Sequence, residues 1–148
     1  MADVSLKVLR TPTHTELVEF LSTVHATDAL GTVYATCSVE YTGQREGTLG
    51  EGDRVILCKE DGAVAVHRPT GARAVARQGI GSSFDSVIRD DCVRIYAAKG
   101  QDESIRVDVF EASLAVRYDA EDEATLQENQ TEEQMYACIN SNPEVIED

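Results

Sequence analysis

The chain has 148 residues, 42% of them apolar and 27% charged, with 27 acidic against 13 basic side chains and a formal net charge of −14. That length suits one ordinary domain with a short tail. No apolar run approaches the ~18 residues of a membrane span and no basic-then-apolar leader opens the chain, so a cytoplasmic protein is the expectation.

The charge is uneven. Residues 1–117 hold all 13 basic residues and 17 acids, whereas residues 118–148 hold 10 acids and no Lys or Arg. The body is nearly balanced, and the tail supplies most of the repulsion that a nucleic-acid backbone would meet. Arg outnumbers Lys, 10 to 3, which together with the acidity resembles a halophilic composition.

In chain order, the first predicted element is a helix over Thr13–Val24, with Leu17, Val18, Phe20 and Leu21 as its apolar face. Thr13 and Glu16 have the spacing of a capping box. Leu30–Tyr41 then alternates as a strand, with Val33, Ala35, Cys37, Val39 and Tyr41 in one phase. Gly43 and Gly47 bracket a loop. Asp53–Lys59 is a second strand, Val55 and Leu57 on one face, Ile56 and Cys58 on the other. Asp61-Gly62 favours a type I′ hairpin turn, and Ala63–His67 returns as a third strand. A short strand is expected over Ala72–Ala76, and two longer β regions over Ser86–Ala97 and Ser104–Tyr118. In the last, Ile105, Val107, Val109 and Glu111 share a phase. Asp119–Gln130 reads as an acidic linker and Thr131–Asn140 as a second, short helix stopped by Asn142-Pro143. The pattern predicts a mainly β protein: a small barrel or sandwich over residues 1–118 with an N-terminal helix, then an acidic linker and short C-terminal helix over 119–148.

Motifs for chemistry are absent. Cys37, Cys58, Cys92 and Cys138 form no CxxC pair and read as small buried side chains. His14, His25 and His67 have no ligand or triad spacing. There is no phosphate-binding glycine loop, and the glycines at 43, 47, 50 and 52 suit turns and bulges. No catalytic residue, metal or cofactor is expected. Basic residues are the informative feature. Arg45, Arg54, Lys59, Arg68, Arg73 and Arg77 fall between Gly43 and Arg77, with Tyr41 just before the loop. Two readings stand: loop arginines and an aromatic that touch phosphates and stack a base, or a solvated rim balancing Glu46, Glu51, Asp53, Glu60 and Asp61.

Several segments together resemble the N-terminal domain of the archaeal and actinobacterial NucS/EndoMS family of mismatch-specific endonucleases. They are Val39-Glu40-Tyr41-Thr42-Gly43, Leu49-Gly50-Glu51-Gly52-Asp53-Arg54-Val55, Lys59-Glu60-Asp61-Gly62, Val66-His67, Ser104–Val109, Glu132-Glu133-Gln134-Met135 and Asn142–Glu147. The resemblance implies a half-open β-barrel or sandwich that binds double-stranded DNA, mismatched or branched forms included, and forms a homodimer. It also implies a nuclease domain in cis beyond such a segment in longer relatives. The chain by itself is then not an enzyme, whether it is a truncated piece or a naturally short relative.

The resemblance also implies which residues meet DNA. Tyr41 stands at the family's base-stacking tyrosine. Gln44 stands where the family has a DNA-contacting arginine, with Arg45 one residue later. Arg73 keeps a basic position, and Arg77 replaces a tryptophan that holds an extruded base. Arg68 joins the set from the concentration of basic residues, not from the resemblance. An alternative expectation is a divergent dimeric protein-interaction module that has lost mismatch recognition.

Overall fold

The computed structural model describes residues 6–27, 29–43, 46–79 and 83–127. The predicted second helix, Cys138, Gln44 and Arg45 lie outside the described residues. Among the described residues there are eight strands and one helix: β1 (Leu6–Arg10), α1 (His14–Ala26), β2 (Leu30–Thr42), β3 (Gly47–Cys58), β4 (Val64–His67), β5 (Ala76–Gln78), β6 (Ser83–Arg89), β7 (Cys92–Lys99) and β8 (Glu103–Tyr118). Residues 119–127 carry no regular structure.

All strand pairs are antiparallel. The sheet runs β5-β4-β3-β2-β8-β7-β6, and β1 pairs with β8 off that path. β8 is long enough to serve two neighbours on one edge: Glu103–Val109 pairs with β7 and Leu114–Tyr118 with β1. The sheet curls until the β5 end meets the β7–β8 turn, where Gln78 Nε2 donates to Glu103 Oε1 at 3.4 Å. β5 and β6 remain the two edges of a half-open barrel.

Alternation decides the concave side. Val33, Ala35, Cys37 and Val39 of β2, Ile56 and Cys58 of β3, and Ile105, Val107 and Val109 of β8 are all buried. The helix closes the same core with Leu17, Phe20, Leu21 and Val24. Its capping box is present: Glu16 N–H donates to Thr13 Oγ1 at 3.1 Å, and Thr13 N–H donates to Glu16 Oε1 at 2.8 Å. Such a cap is worth about 1 kcal/mol. At the other end of α1, His25 stacks on Phe84 of β6, ring centres 5.2 Å apart.

Two bulges in β8 seat the helix entrance. Opposite β2 the register skips Ser113 and Phe110. The carbonyls leave the ladder there and take other donors: Thr11 N–H at 2.9 Å on Ser113 O, and His14 Nε2–H at 3.1 Å on Phe110 O. The skips also reverse the side-chain phase. Ala112 and Ala115 therefore face the core, and Glu111, expected in the inward phase, is exposed.

Other expectations shift for local reasons. β3 begins at Gly47 and not at Asp53, so Gly47, Gly50 and Gly52 all sit inside the strand. The Asp61-Gly62 hairpin forms, but only Gly62 has positive φ (91°), and Gly62 N–H donates to Lys59 O at 3.1 Å. That is a type I turn closed by a left-handed glycine, not type I′. The region 86–97 is two strands joined at Asp90-Asp91, with Asp90 left-handed (φ 53°). β1 was not expected at all.

Candidate nucleic-acid interface

β2 and β4 run in the same direction, because each is antiparallel to β3. β8 runs against β2. Tyr41 and Arg68 therefore lie toward the same direction along the sheet but at different levels of β3: Tyr41 pairs with Gly47, whereas His67, just before Arg68, pairs with Val55.

Tyr41 is in the inward phase of β2, half-buried at the edge of the core. Its cross-strand partner is Gly47. A Cβ at Gly47 would stand 2.5 Å from the Tyr41 hydroxyl and 2.6 Å from Cζ, so the ring lies over a space that only glycine leaves. Gln44 and Arg45 belong to the loop this pair supports and lie outside the described residues.

Arg68 and Arg73 are exposed in the β4–β5 connection. Arg73, expected in a strand, sits in a turn because β5 starts only at Ala76, where Val66 supplies the pairing partner. Arg77 is exposed on β5, opposite Ala65, between buried Ala76 and Gln78. Arg77 therefore faces away from the barrel interior. These three arginines share one hairpin. From Gly62 to Phe84 the sequence contains no Asp or Glu. Among the described residues none of the three has a carboxylate within ion-pair distance. By contrast Arg94 pairs with Asp108, Arg106 with Glu40 and Arg117 with Asp119. In so acidic a chain, three uncompensated guanidinium groups on one hairpin form a surface suited to phosphate.

Arg54 is the residue that sequence reasoning counted but did not assign. It is 7% exposed. Its Nη1 donates to Cys37 O of β2 and to Gly50 O of β3. The signal was legible, since Arg54 shares the inward phase of Ile56 and Cys58. Burial pushes the Cys37 thiol up from its ordinary range, partly offset by the Arg54 charge. Burial alone pushes Cys58 up to about 12. These cysteines are neutral interior side chains. Among the described residues no grouping of three or more His, Cys, Asp or Glu could hold a metal ion, and no helix is long and apolar enough to cross a membrane.

A curled antiparallel sheet with one helix on its concave side and an arginine-bearing end defines a PH-like half-barrel domain. The family model for the endonuclease NucS N-terminal PH-like domain matches residues 27–125. The chain belongs to the NucS/EndoMS family. It is 34% identical over 137 residues to Endonuclease NucS 2 of Halobacterium salinarum, covering 92% of this chain and 55% of that protein. It is 31% identical to Endonuclease NucS of Thermococcus kodakarensis, covering 99% and 58%. Among solved structures, an EndoMS–double-stranded DNA complex matches with a TM-score of 0.81 and 30% identity, covering 95% of this chain and 59% of that one. A repair endonuclease from Pyrococcus abyssi matches with a TM-score of 0.68 and 28% identity, covering 97% and 60%. The chain thus spans somewhat over half the length of these relatives and corresponds to their N-terminal domain.

Proposed function

We propose that this chain is a DNA-binding and dimerisation domain of the mismatch-endonuclease type, non-catalytic by itself. The observation that carries the reading is the acid-free hairpin on which Arg68, Arg73 and Arg77 meet no carboxylate among the described residues, in a domain similar to one solved with double-stranded DNA. In this reading the arginines hold phosphates. Arg45, with Gln44, serves the adjoining loop, and Tyr41 offers a stacking edge. Cleavage falls to a nuclease domain in cis in longer relatives.

Dimerisation is supported by the outward side of the sheet. Leu6, Val8, Tyr34 and Tyr118 are 59%, 42%, 42% and 41% exposed. Through β1–β8–β2–β3 pairing they lie in rows with Leu114, Val116, Leu30, Val55 and Leu57. Exposed apolar side chains gathered on one sheet face suit a second copy of this chain.

The test is a titration of matched and mismatched duplexes at several salt concentrations. Binding that weakens steeply with salt supports phosphate contacts. Absence of binding at low salt favours the second reading, a dimeric protein-interaction module that has left DNA behind. That reading has its own observation: Glu46, Glu51 and Asp53 are exposed along the hairpin that carries Tyr41, and their charge opposes a phosphate.

A further inference from the structure

We propose that Arg54 is a positioning residue for the DNA-contact end of the barrel, a buried guanidinium that clamps one irregular stretch of β3 onto β2 and so sets the angle of the hairpin tip. The inference rests on the DNA-binding reading above and deepens it by naming what holds the contact loop.

The β2–β3 ladder breaks where Cys37 pairs with Gly52 and Val39 with Leu49. One residue of β2, Ser38, faces two of β3, Gly50 and Glu51. Beyond this bulge only three pairs continue to the tip: Val39 with Leu49, Glu40 with Thr48 and Tyr41 with Gly47. On its other side β2 is held by β8 as far as Thr42 with Ser104. β3 is not so supported, because β4 pairs only with Val55–Cys58. Residues 47–52 are thus an edge segment rich in glycine, attached along one side and interrupted in the middle. Glycine adds backbone freedom to that segment, and a loose segment would leave Gly47 and the Tyr41 ring it carries without a fixed position.

Arg54 removes the freedom. Its guanidinium bridges Cys37 O on β2 and Gly50 O on β3, the two sides of the interrupted ladder. A Cβ at Gly52 would stand 2.9 Å from Nη2 and 3.0 Å from Cζ, so the clamp needs glycine at that position. Among the described residues no carboxylate lies within ion-pair distance of Arg54. A buried charge without a counter-ion is costly unless its donors are satisfied, and here backbone carbonyls satisfy it. A planar, permanently charged fork reaches two carbonyls at once, whereas an ammonium is a point charge on a flexible stem.

The experiment is a pair of double-mutant cycles read in duplex affinity by fluorescence anisotropy at one low salt concentration, with Arg54→Met and Arg54→Lys in the full chain. Arg54→Met is expected to weaken binding about tenfold, or about 1.4 kcal/mol. Adding Tyr41→Ala, at the tip the clamp supports, should then change little. Adding Arg77→Gln, on a different hairpin, should cost its full separate effect. Amide exchange is the second readout: Gly47–Gly52 should exchange faster in both variants while Val93–Ala97 keep their protection. If Arg54→Met fails to fold, Arg54→Lys carries both measurements.

Equal additivity with Tyr41 and Arg77 would overturn the proposal, as would a uniform loss of protection across β3 and β7. A wild-type chain that binds no duplex removes the DNA reading and the positioning role together. A chain that binds duplex with an uncoupled Arg54 removes the positioning role alone.

Discussion

The outward side of β8 carries two different surfaces. Along residues 104–108 it is ionic: Arg94 reaches Asp108 through two bonds of 2.9 and 3.3 Å, and Arg106 reaches Glu40 at 2.9 Å. Along residues 114–118 it is apolar, with Leu114, Val116 and Tyr118 beside Leu6, Val8 and Tyr34. The same strand, the same sheet face and the same neighbour β2 support both. The two bulges at Phe110 and Ser113 stand between them. Charges opposite one another across strands suit a surface that stays in water. Unpaired aromatics and aliphatics suit one that is covered. The difference separates a half suited to solvent from a half that, in the proposed dimer, a second copy would cover.

The largest expected effect concerns the interior that both halves share. Burial raises the Cys58 thiol from 9.0 to about 12. Between those values the unfolded chain loses its proton while the folded chain keeps it, so stability falls as pH rises from about 9 towards 12. The contribution is on the order of 4 kcal/mol. Urea unfolding across that range should show a slope in the wild type that is smaller in Cys58→Ala. An unchanged slope would place the thiol in contact with water.

Next comes the apolar half. Val8→Asp should weaken self-association about 100-fold, roughly 3 kcal/mol, by light scattering over a concentration series, with little change in Tm. An unaffected dimer would mean that the second copy sits elsewhere, and the contrast between the halves would lose its meaning. Neutralising Arg68, Arg73 and Arg77 to Gln should lower duplex affinity and reduce the salt slope by roughly 2 to 3, while leaving the dimer intact.

The ionic half should give smaller numbers. Asp108→Ala removes a two-point pair whose side chains are 30% and 15% exposed, and should cost about 1 kcal/mol in chemical denaturation. Glu40→Gln opens a more exposed pair and should cost no more than about 0.5 kcal/mol. Neither should alter the dimer. If Asp108→Ala did so, the ionic half would belong to the interface as well.

Much of the fold was legible because period and local chemistry agreed. The capping box at Thr13 and Glu16 formed as expected, and the inward phase of β2 followed its alternation from Val33 to Val39 without error. Errors arose where the cause was distant in sequence. β1 has five residues and no strong pattern; it is a strand because the free edge of β8 pairs with it. Glu111 lost its expected phase to bulges that alternation cannot reveal. Arg73 fell outside β5 because Val66 decides where pairing starts.

The candidate site divides in the same way. Tyr41, Arg68, Arg73 and Arg77 could be named from residue type and resemblance, since guanidinium groups and aromatics are the groups that meet phosphates and bases. Their meaning required the fold. Pairing set Arg77 on the outward side of β5, and only the placement of the described carboxylates showed which arginines lack a partner among the described residues. By itself the sequence determined the family, the helix cap, the core-facing phases and the acid-free hairpin, all properties of residues close together along the chain. Tertiary structure decided the split surface of β8 and the clamp at Arg54, because each depends on groups that only pairing between distant strands brings within a few ångströms.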